Sequence, residues 1–240
     1  MHIRKVSFLS REYPTTEAYP FNLEVLQKTP EITFETPVTC FVGENGAGKT
    51  TVLRAVCLGC GIHIWQDEER KRYNYNPYEG ELHKYLRIEW SNGSVPGSYY
   101  SSQIFQDFTK FLDDWAMATP DILTYYGGSS LMTKSHGQSL MAYFRSRYVR
   151  RGVYFLDEPE AALSPKNQIA LLGLLGECAR RGNAQFIIAT QSPILLACPG
   201  ARIYSFDRVP LATVRYEDTD HYRIYHDFLN NPAAYLDNLG

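Results

Sequence analysis

Long apolar runs are missing from this chain. None reaches the roughly 18 residues a membrane-spanning helix needs, and the N-terminal Met1-His2-Ile3-Arg4-Lys5 lacks the apolar core of a secretory signal. Cysteine is sparse and odd in number, five in 240 residues, which argues against a disulfide framework. Cys57 and Cys60 form a C-x-x-C pair, but no second pair or histidine partner follows at zinc spacing, so buried thiols are expected rather than a metal or redox centre. Neither sign of charge dominates. Lys and Arg total 24 against 26 Asp and Glu, net −2, so no global basic field points to nucleic acid. Internal repeats and low-complexity segments are lacking too. The expectation is a soluble, cytoplasmic α/β chain of one domain, a length that buries about three quarters of the unfolded surface without staples.

What is present is glycine at one particular spacing. Gly43-Glu44-Asn45-Gly46-Ala47-Gly48-Lys49-Thr50 fits the P-loop pattern G-x-x-x-x-G-K-[ST] without a mismatch. The apolar run Val38 to Val42 leads in as a strand, and Thr51 to Val56 leads out as a helix. Glycines let the backbone curl so that successive N–H groups point at phosphate oxygens, and the helix start adds its positive dipole end. Lys49 is expected to reach the β- and γ-phosphates, the Thr50 hydroxyl to hold Mg²⁺, and Thr51 to complete the nucleotide-binding stretch.

Along the rest of the chain, 3–9, 31–35 and 38–42 read as strands. Residues 66–81, mixed in charge and rich in tyrosine, read as a surface loop, with partner docking as the alternative. Residues 85–90 and 98–101 around Asn92-Gly93 read as a hairpin. From Gln103, Ile104, Phe105, Phe108, Phe111, Leu112 and Trp115 recur at helical spacing and predict an amphipathic helix whose aromatic stripe is core. A helix capped by Ser135 runs to about Arg150. The continuous apolar run Val153 to Leu156 reads as a buried parallel strand. Ser164-Pro165 and Ser192-Pro193 each place an N-cap and a proline at N1, with a strand at 185–189 between them. A hairpin at 201–216 and helices at 220–230 and 232–239 close the chain.

The buried strand ends in Asp157-Glu158, at the carboxyl edge where open α/β sheets bind ligands. A carboxylate there can act on Mg²⁺ held at Thr50, and Glu158, pointing elsewhere, can polarise an attacking water.

Taken together and in order, Gly43 to Thr50, Ser135-His136-Gly137-Gln138, Val153 to Pro159 and Ala161 to Ser164 resemble the ATP-binding-cassette (ABC) ATPase superfamily. The closest likeness is to its stand-alone, SMC-like and OLD-like bacterial members, often described as predicted AAA-family ATPases. Leu156 to Pro165 and Ile187 to Pro193 are especially typical of that group. The resemblance implies a P-loop NTPase of ABC type, with a mostly parallel central sheet flanked by helices and antiparallel strands at the N-terminus. It also implies a small helical signature-motif lobe at about 99–151 within one domain of 1–240. Ser135, Gly137 and Gln138 match the signature motif, which in the superfamily contacts the γ-phosphate held by the opposite protomer. Gln103 resembles the Q-loop glutamine that touches Mg²⁺ and the attacking water. Ala161 to Ser164 look like the D-loop at the dimer interface, and Gln191 stands at the switch position, usually histidine. Tyr19 or Phe21 is placed to stack on adenine.

The resemblance therefore implies ATP and Mg²⁺, catalysis by Lys49, Glu158 and Gln191, and an ATP-driven head-to-tail homodimer acting on a protein or nucleic-acid partner. Arg145, Arg147, Arg150 and Arg151 could contact DNA, but a solvated helix end is the better account of them. Two departures bear on turnover. Gln191 cannot carry the charge of a protonated histidine, and the D-loop ends in Ser164 where many relatives have Asp. Losing one optimal donor costs about 10²–10³ in rate, so slow hydrolysis is expected. The alternatives are a nucleotide-gated interaction module with marginal hydrolysis, and the ATP-binding subunit of a membrane transporter.

Overall fold

The computed structural model describes residues 1–64, 76–126 and 136–236. In chain order the elements are β1 (Ile3–Phe8), α1 (Glu24–Lys28), β2 (Glu31–Thr33), β3 (Val38–Val42), α2 (Lys49–Gly59), β4 (Leu86–Trp90), β5 (Gly97–Ser101), α3 (Ser102–Ala118), α4 (His136–Tyr148), β6 (Gly152–Asp157), α5 (Pro165–Arg181), β7 (Ala184–Ala189), α6 (Pro193–Leu196), β8 (Arg202–Ser205), β9 (Ala212–Val214), α7 (Asp220–Asn230) and α8 (Ala233–Leu236). Among the described residues the strands form two sheets. One has the order β2-β1-β4, and the other β5-β6-β7-β3-β8-β9.

The larger sheet is parallel from β5 through β8, with β9 antiparallel at its edge. Its central strands β3, β6 and β7 are buried along their whole length, which explains their unbroken apolar sequences. Alternate residues face opposite layers. Val153, Phe155 and Ile187 face α2 and the small sheet, whereas Tyr154, Leu156 and Ile188 pack against α3, α4 and α5. The P-loop helix is thus enclosed between two sheets, and its apolar residues Val52, Leu53 and Val56 are fully buried. The small sheet is antiparallel throughout, as the resemblance implies. Gln185 of β7 ties the sheets together: its side-chain Oε1 accepts from the backbone N–H groups of His2 and Ile3, each at 2.8 Å, and its Nε2 donates to the Ile3 carbonyl at 3.0 Å.

Two local expectations are overturned. Residues 85–101 are not a hairpin, since β4 pairs with β1 in the small sheet and β5 pairs with β6 in the large one. The reason lies in β5. Tyr99 and Tyr100 are both buried, on opposite faces, which only a strand covered on both sides allows. A Cβ at Gly97 would stand 2.1 Å from the Val153 carbonyl oxygen, so glycine lets β5 close onto β6. The aromatic stripe of α3 is likewise only partly core: Phe105 and Leu112 are buried, whereas Phe111 and Trp115 are 46 % and 50 % exposed.

The capping reading holds at Ser164 and Ser192, whose hydroxyls accept from Asn167 and from Ile194 and Leu195 respectively. Cys57 is buried and Cys60 half-buried; burial pushes both thiols up, that of Cys60 to about 12. The cap at Ser135 and most of the 66–81 loop lie outside the described residues. Among those described, no helix is long and apolar enough to cross a membrane.

Candidate nucleotide site

The site is assembled at the carboxyl edge of β3, β6 and β7. Beyond β3 the backbone curls through Gly43 (φ +147) and Gly48 (φ +101). At Gly43 a Cβ would meet Asp207 Oδ1 at 2.9 Å, and at Gly48 it would meet Leu23 Cδ1 at 3.0 Å. Both positions need glycine for their positive φ, and at Gly43 the nearby Phe206 Cβ at 3.0 Å adds a steric reason. Asp207, just after β8, anchors the loop by accepting from the Glu44 backbone N–H at 2.8 Å. Gly48 delivers the chain into α2, whose first turn presents its N–H groups and positive dipole end to the loop.

Lys49 is 5 % exposed and donates to the carbonyls of Gly43 and Glu44, the latter at 2.8 Å. Burial lowers its pKa, opposed by the surrounding carboxylates of Glu158, Asp207, Glu44 and Asp157. The next residue, Thr50, donates to Asp157 Oδ1 at 2.8 Å. The other oxygen of that carboxylate, Oδ2, accepts from the Tyr99 hydroxyl at 2.7 Å. Burial pushes the Asp157 carboxyl up, and the bonds from Tyr99 and Thr50 and the charges of Arg54 and Lys49 pull it back.

Glu158 follows in the left-handed region, φ 45 and ψ 54, the one non-glycine residue among those described with a positive φ. Such a conformation costs on the order of 1–3 kcal/mol and concentrates at functional sites. It swings the chain off the sheet and leaves Glu158 exposed beside buried Asp157, while its N–H remains on the Ala189 carbonyl at 2.9 Å.

At the end of β7, Gln191 donates its side-chain amide to Asn45 of the P-loop and its backbone N–H to Glu160 Oε1, at 2.7 Å. Glu160 Oε1 also accepts from the Ser192 backbone N–H at 3.2 Å. Residues 161–164 cross from a short 3₁₀ turn into the cap of α5. Gly137 lies against this crossing: a Cβ there would stand 2.6 Å from Asn167 Nδ2 and 3.6 Å from the Ala162 carbonyl oxygen.

The structure therefore brings together Gly43 to Thr50, Asp157, Glu158 and Gln191. Gly137 and Gln138 open α4 beside residues 161–164, and Ser135 lies outside the described residues. Gln103 stands just past β5, as expected, but its amide binds Asp107 one turn on, at 3.2 Å; the group on Asp157 from this side is Tyr99. Phe21 cannot stack on adenine, because it is fully buried and ringed by Tyr13, Tyr78 and Tyr85. Tyr19 is 42 % exposed, with its hydroxyl bonded to that of Thr51. Sequence reasoning missed Tyr99, Glu160 and Asp207, and only Glu160, within the Asp157-Glu158-Pro159-Glu160 phrase, had an adjacent signal. The Thr50 hydroxyl and the Asp157 carboxylate are hard oxygen donors side by side on rigid elements, a set that fits Mg²⁺.

Two family profiles match the chain. One, described as an AAA domain, covers residues 22–96. The other, an AAA domain described as a putative AbiEii toxin of a type IV toxin–antitoxin system, covers residues 138–197. No curated protein matches significantly. Among solved structures, CbiO1 from Clostridium perfringens, part of the ABC transporter complex CbiONQ, is 17 % identical over 99 % of each chain with a TM-score of 0.52. A putative metal-chelate type ABC transporter in an inward-facing conformation is 16 % identical over 94 % of this chain and 88 % of its own, TM-score 0.50. A nucleotide-free ATP-binding cassette from an ABC transporter is 13 % identical over 85 % of this chain and 87 % of its own, TM-score 0.50. The first profile spans the P-loop and the second spans Asp157, Glu158 and Gln191, so both halves of the candidate site fall within segments similar to AAA domains, and the fold is that of the ATP-binding cassettes.

Proposed function

We propose that this chain is an ATP-hydrolysing ABC-type ATPase whose site is completed by a second copy of itself. The observation that carries the reading is the Thr50–Asp157 hydrogen bond directly beside left-handed, exposed Glu158. The P-loop backbone and Lys49 bind the β- and γ-phosphates. Thr50 and Asp157 would hold Mg²⁺, with Gln103 as a further candidate, and the ion would supply charge neutralisation at the phosphates. Glu158 orients and polarises the water, and Gln191 offers an amide N–H to the γ-phosphate. Residues 1–240 act as one ATPase domain, and the helical lobe expected at about 99–151 begins only after β5, at Ser102.

The dimer reading rests on where α4 begins. Gly137 packs against Asn167 and Ala162, on the strip that includes exposed Ala161 and Ser164. Ser135, Gly137 and Gln138 of one copy would then meet the nucleotide held by the other, head to tail, with N–H donors at a helix start aimed at phosphate. The resulting cycle performs mechanical or regulatory work on a partner, protein or nucleic acid. Glu158→Gln tests it: ATP binding should persist, hydrolysis should stop, and a dimer should accumulate on a sizing column. Normal turnover in that variant would overturn the assignment of Glu158.

A second reading, a nucleotide-gated interaction module with marginal hydrolysis, is favoured by the neutral Gln191 amide and its bond to Asn45. An ATPase rate equal to that of Lys49→Ala, together with ATP-dependent partner binding, would select it. A transporter subunit, as the neighbouring structures are, would additionally require a permease chain.

A further inference from the structure

We propose that Tyr99 is a positioning residue for the metal-side carboxylate, holding Asp157 so that one oxygen is presented beside Thr50. This rests on the nucleotide reading above and deepens it. In the parallel β5–β6 pair, Tyr99 lies opposite Phe155 and Ser101 opposite Asp157. Tyr99 and Asp157 thus share the α2 face of the sheet as diagonal neighbours, a separation a tyrosine side chain spans across one strand spacing of about 4.8 Å. Its hydroxyl meets Oδ2 at 2.7 Å while Thr50 meets Oδ1 at 2.8 Å, so the two oxygens are differentiated and the carboxylate plane is fixed. The phenol is itself held in place: it is 7 % exposed, and the Arg54 guanidinium lies 5.7 Å from its ring centroid. Arg54 is one turn beyond Thr50 on α2, so the helix that brings the metal-side hydroxyl also brings the cation that covers the tyrosine. Adjacent Tyr100 faces the other layer, among Phe105 and Phe144, and has no part in this.

Partners that orient a metal ligand typically change metal affinity by about 10–100-fold when removed. Tyr99→Phe deletes one oxygen and retains the ring, its packing and its contact with Arg54. The test measures the affinity for a fluorescent ATP analogue with Mg²⁺ and with EDTA, and takes the ratio as the Mg²⁺ advantage. Tyr99→Phe should reduce that advantage by about tenfold, or to unity where it is smaller than tenfold, and leave the EDTA affinity within about twofold. In an Asp157→Asn background the same change should do nothing further. Thermal melts in EDTA report on the fold: a merely structural tyrosine would lower the melting temperature and both affinities together and leave the ratio intact, which overturns the proposal. An unchanged ratio in Tyr99→Phe, or a full effect in the Asp157→Asn background, overturns it while leaving the nucleotide reading standing. A wild-type protein with no nucleotide binding or no Mg²⁺ advantage overturns both.

Discussion

The P-loop and the start of α4 are built on opposite principles. Around Gly43 to Thr50 the polar groups are closed by the same chain: Lys49 by loop carbonyls, Thr50 by Asp157, Asp157 by Tyr99, and the Glu44 N–H by Asp207. At α4 the motif glycine lies against a flexible asparagine side chain and a loop carbonyl, on a strip whose neighbours Ala161 and Ser164 are exposed. A region completed from within is a rigid receptor, with geometry fixed before any ligand arrives. A region left at the surface beside a short 3₁₀ turn is where a second molecule would supply the missing half. Substitutions should separate along this line: those in the first region change binding or folding in the monomer, and those in the second change only assembly.

The largest effect is expected at Lys49. Its ammonium is buried, and hydrogen bonds to charged groups contribute about 1.5–3 kcal/mol each. Two such bonds to phosphate oxygens make Lys49→Ala lose on the order of 10²-fold or more in ATP affinity by equilibrium binding, at protein concentrations where both proteins are monomeric. Loss of affinity only at concentrations where wild type dimerises would erase the distinction between the regions.

Gly97→Ala should act on the fold. The added Cβ would meet the Val153 carbonyl oxygen at 2.1 Å, and this backbone sits inside the β5–β6 ladder, so the strands must part. We expect a loss of about 3 kcal/mol or more, a fall of roughly 6–12 °C in melting temperature for a chain of this size. Gly137→Ala sharpens the contrast. Its nearest obstacle is Asn167 Nδ2 at 2.6 Å, the far end of a side chain that can turn away, and alanine is the better helix former by up to about 1 kcal/mol. Its melting temperature should match or exceed wild type, while the ATP-dependent dimer of the Glu158→Gln background weakens by about tenfold, roughly 1.4 kcal/mol. An unaltered dimer would remove α4 from the interface.

How much of this was legible in the sequence depended on the range of the interaction. The P-loop, the buried strands β3, β6 and β7, and the caps at Ser164 and Ser192 were readable because each is decided by neighbours a few residues away. The 85–101 hairpin was misread because Asn92-Gly93 is a sound local turn signal, yet the partner of β5 is β6, some 55 residues further on. Phe21 and Tyr19 stand two positions apart with similar local sequence. Only the ring of Tyr13, Tyr78 and Tyr85 decides that one is core and the other exposed. Tyr99 was invisible for the same reason, since a tyrosine in a strand announces nothing until the register sets its hydroxyl on Asp157.

Glu160 joins the two regions and provides the most delicate test. It leaves the β6 segment just after Glu158, starts the crossing toward α5, and holds the end of β7 through the backbone N–H groups of Gln191 and Ser192. Burial raises its carboxyl above the ordinary glutamate range, with the Glu158 charge adding to the rise and the bonds from Gln191 and Thr190 opposing it. A carboxyl whose folded pKa is raised binds its proton more tightly in the folded state. Its contribution to stability is therefore full below the ordinary glutamate range and is lost as pH rises through the raised value. Glu160→Gln keeps an oxygen for the two N–H groups and removes the charge. It should melt higher than wild type at pH 8, by about 2–4 °C for an effect of roughly 1 kcal/mol, and the gap should close as pH falls toward the glutamate range. A gap that instead widened at low pH would mean that the ionised carboxylate is the stabilising form. The link between the end of β7 and the crossing to α5 would then depend on charge rather than on the acceptor oxygen alone.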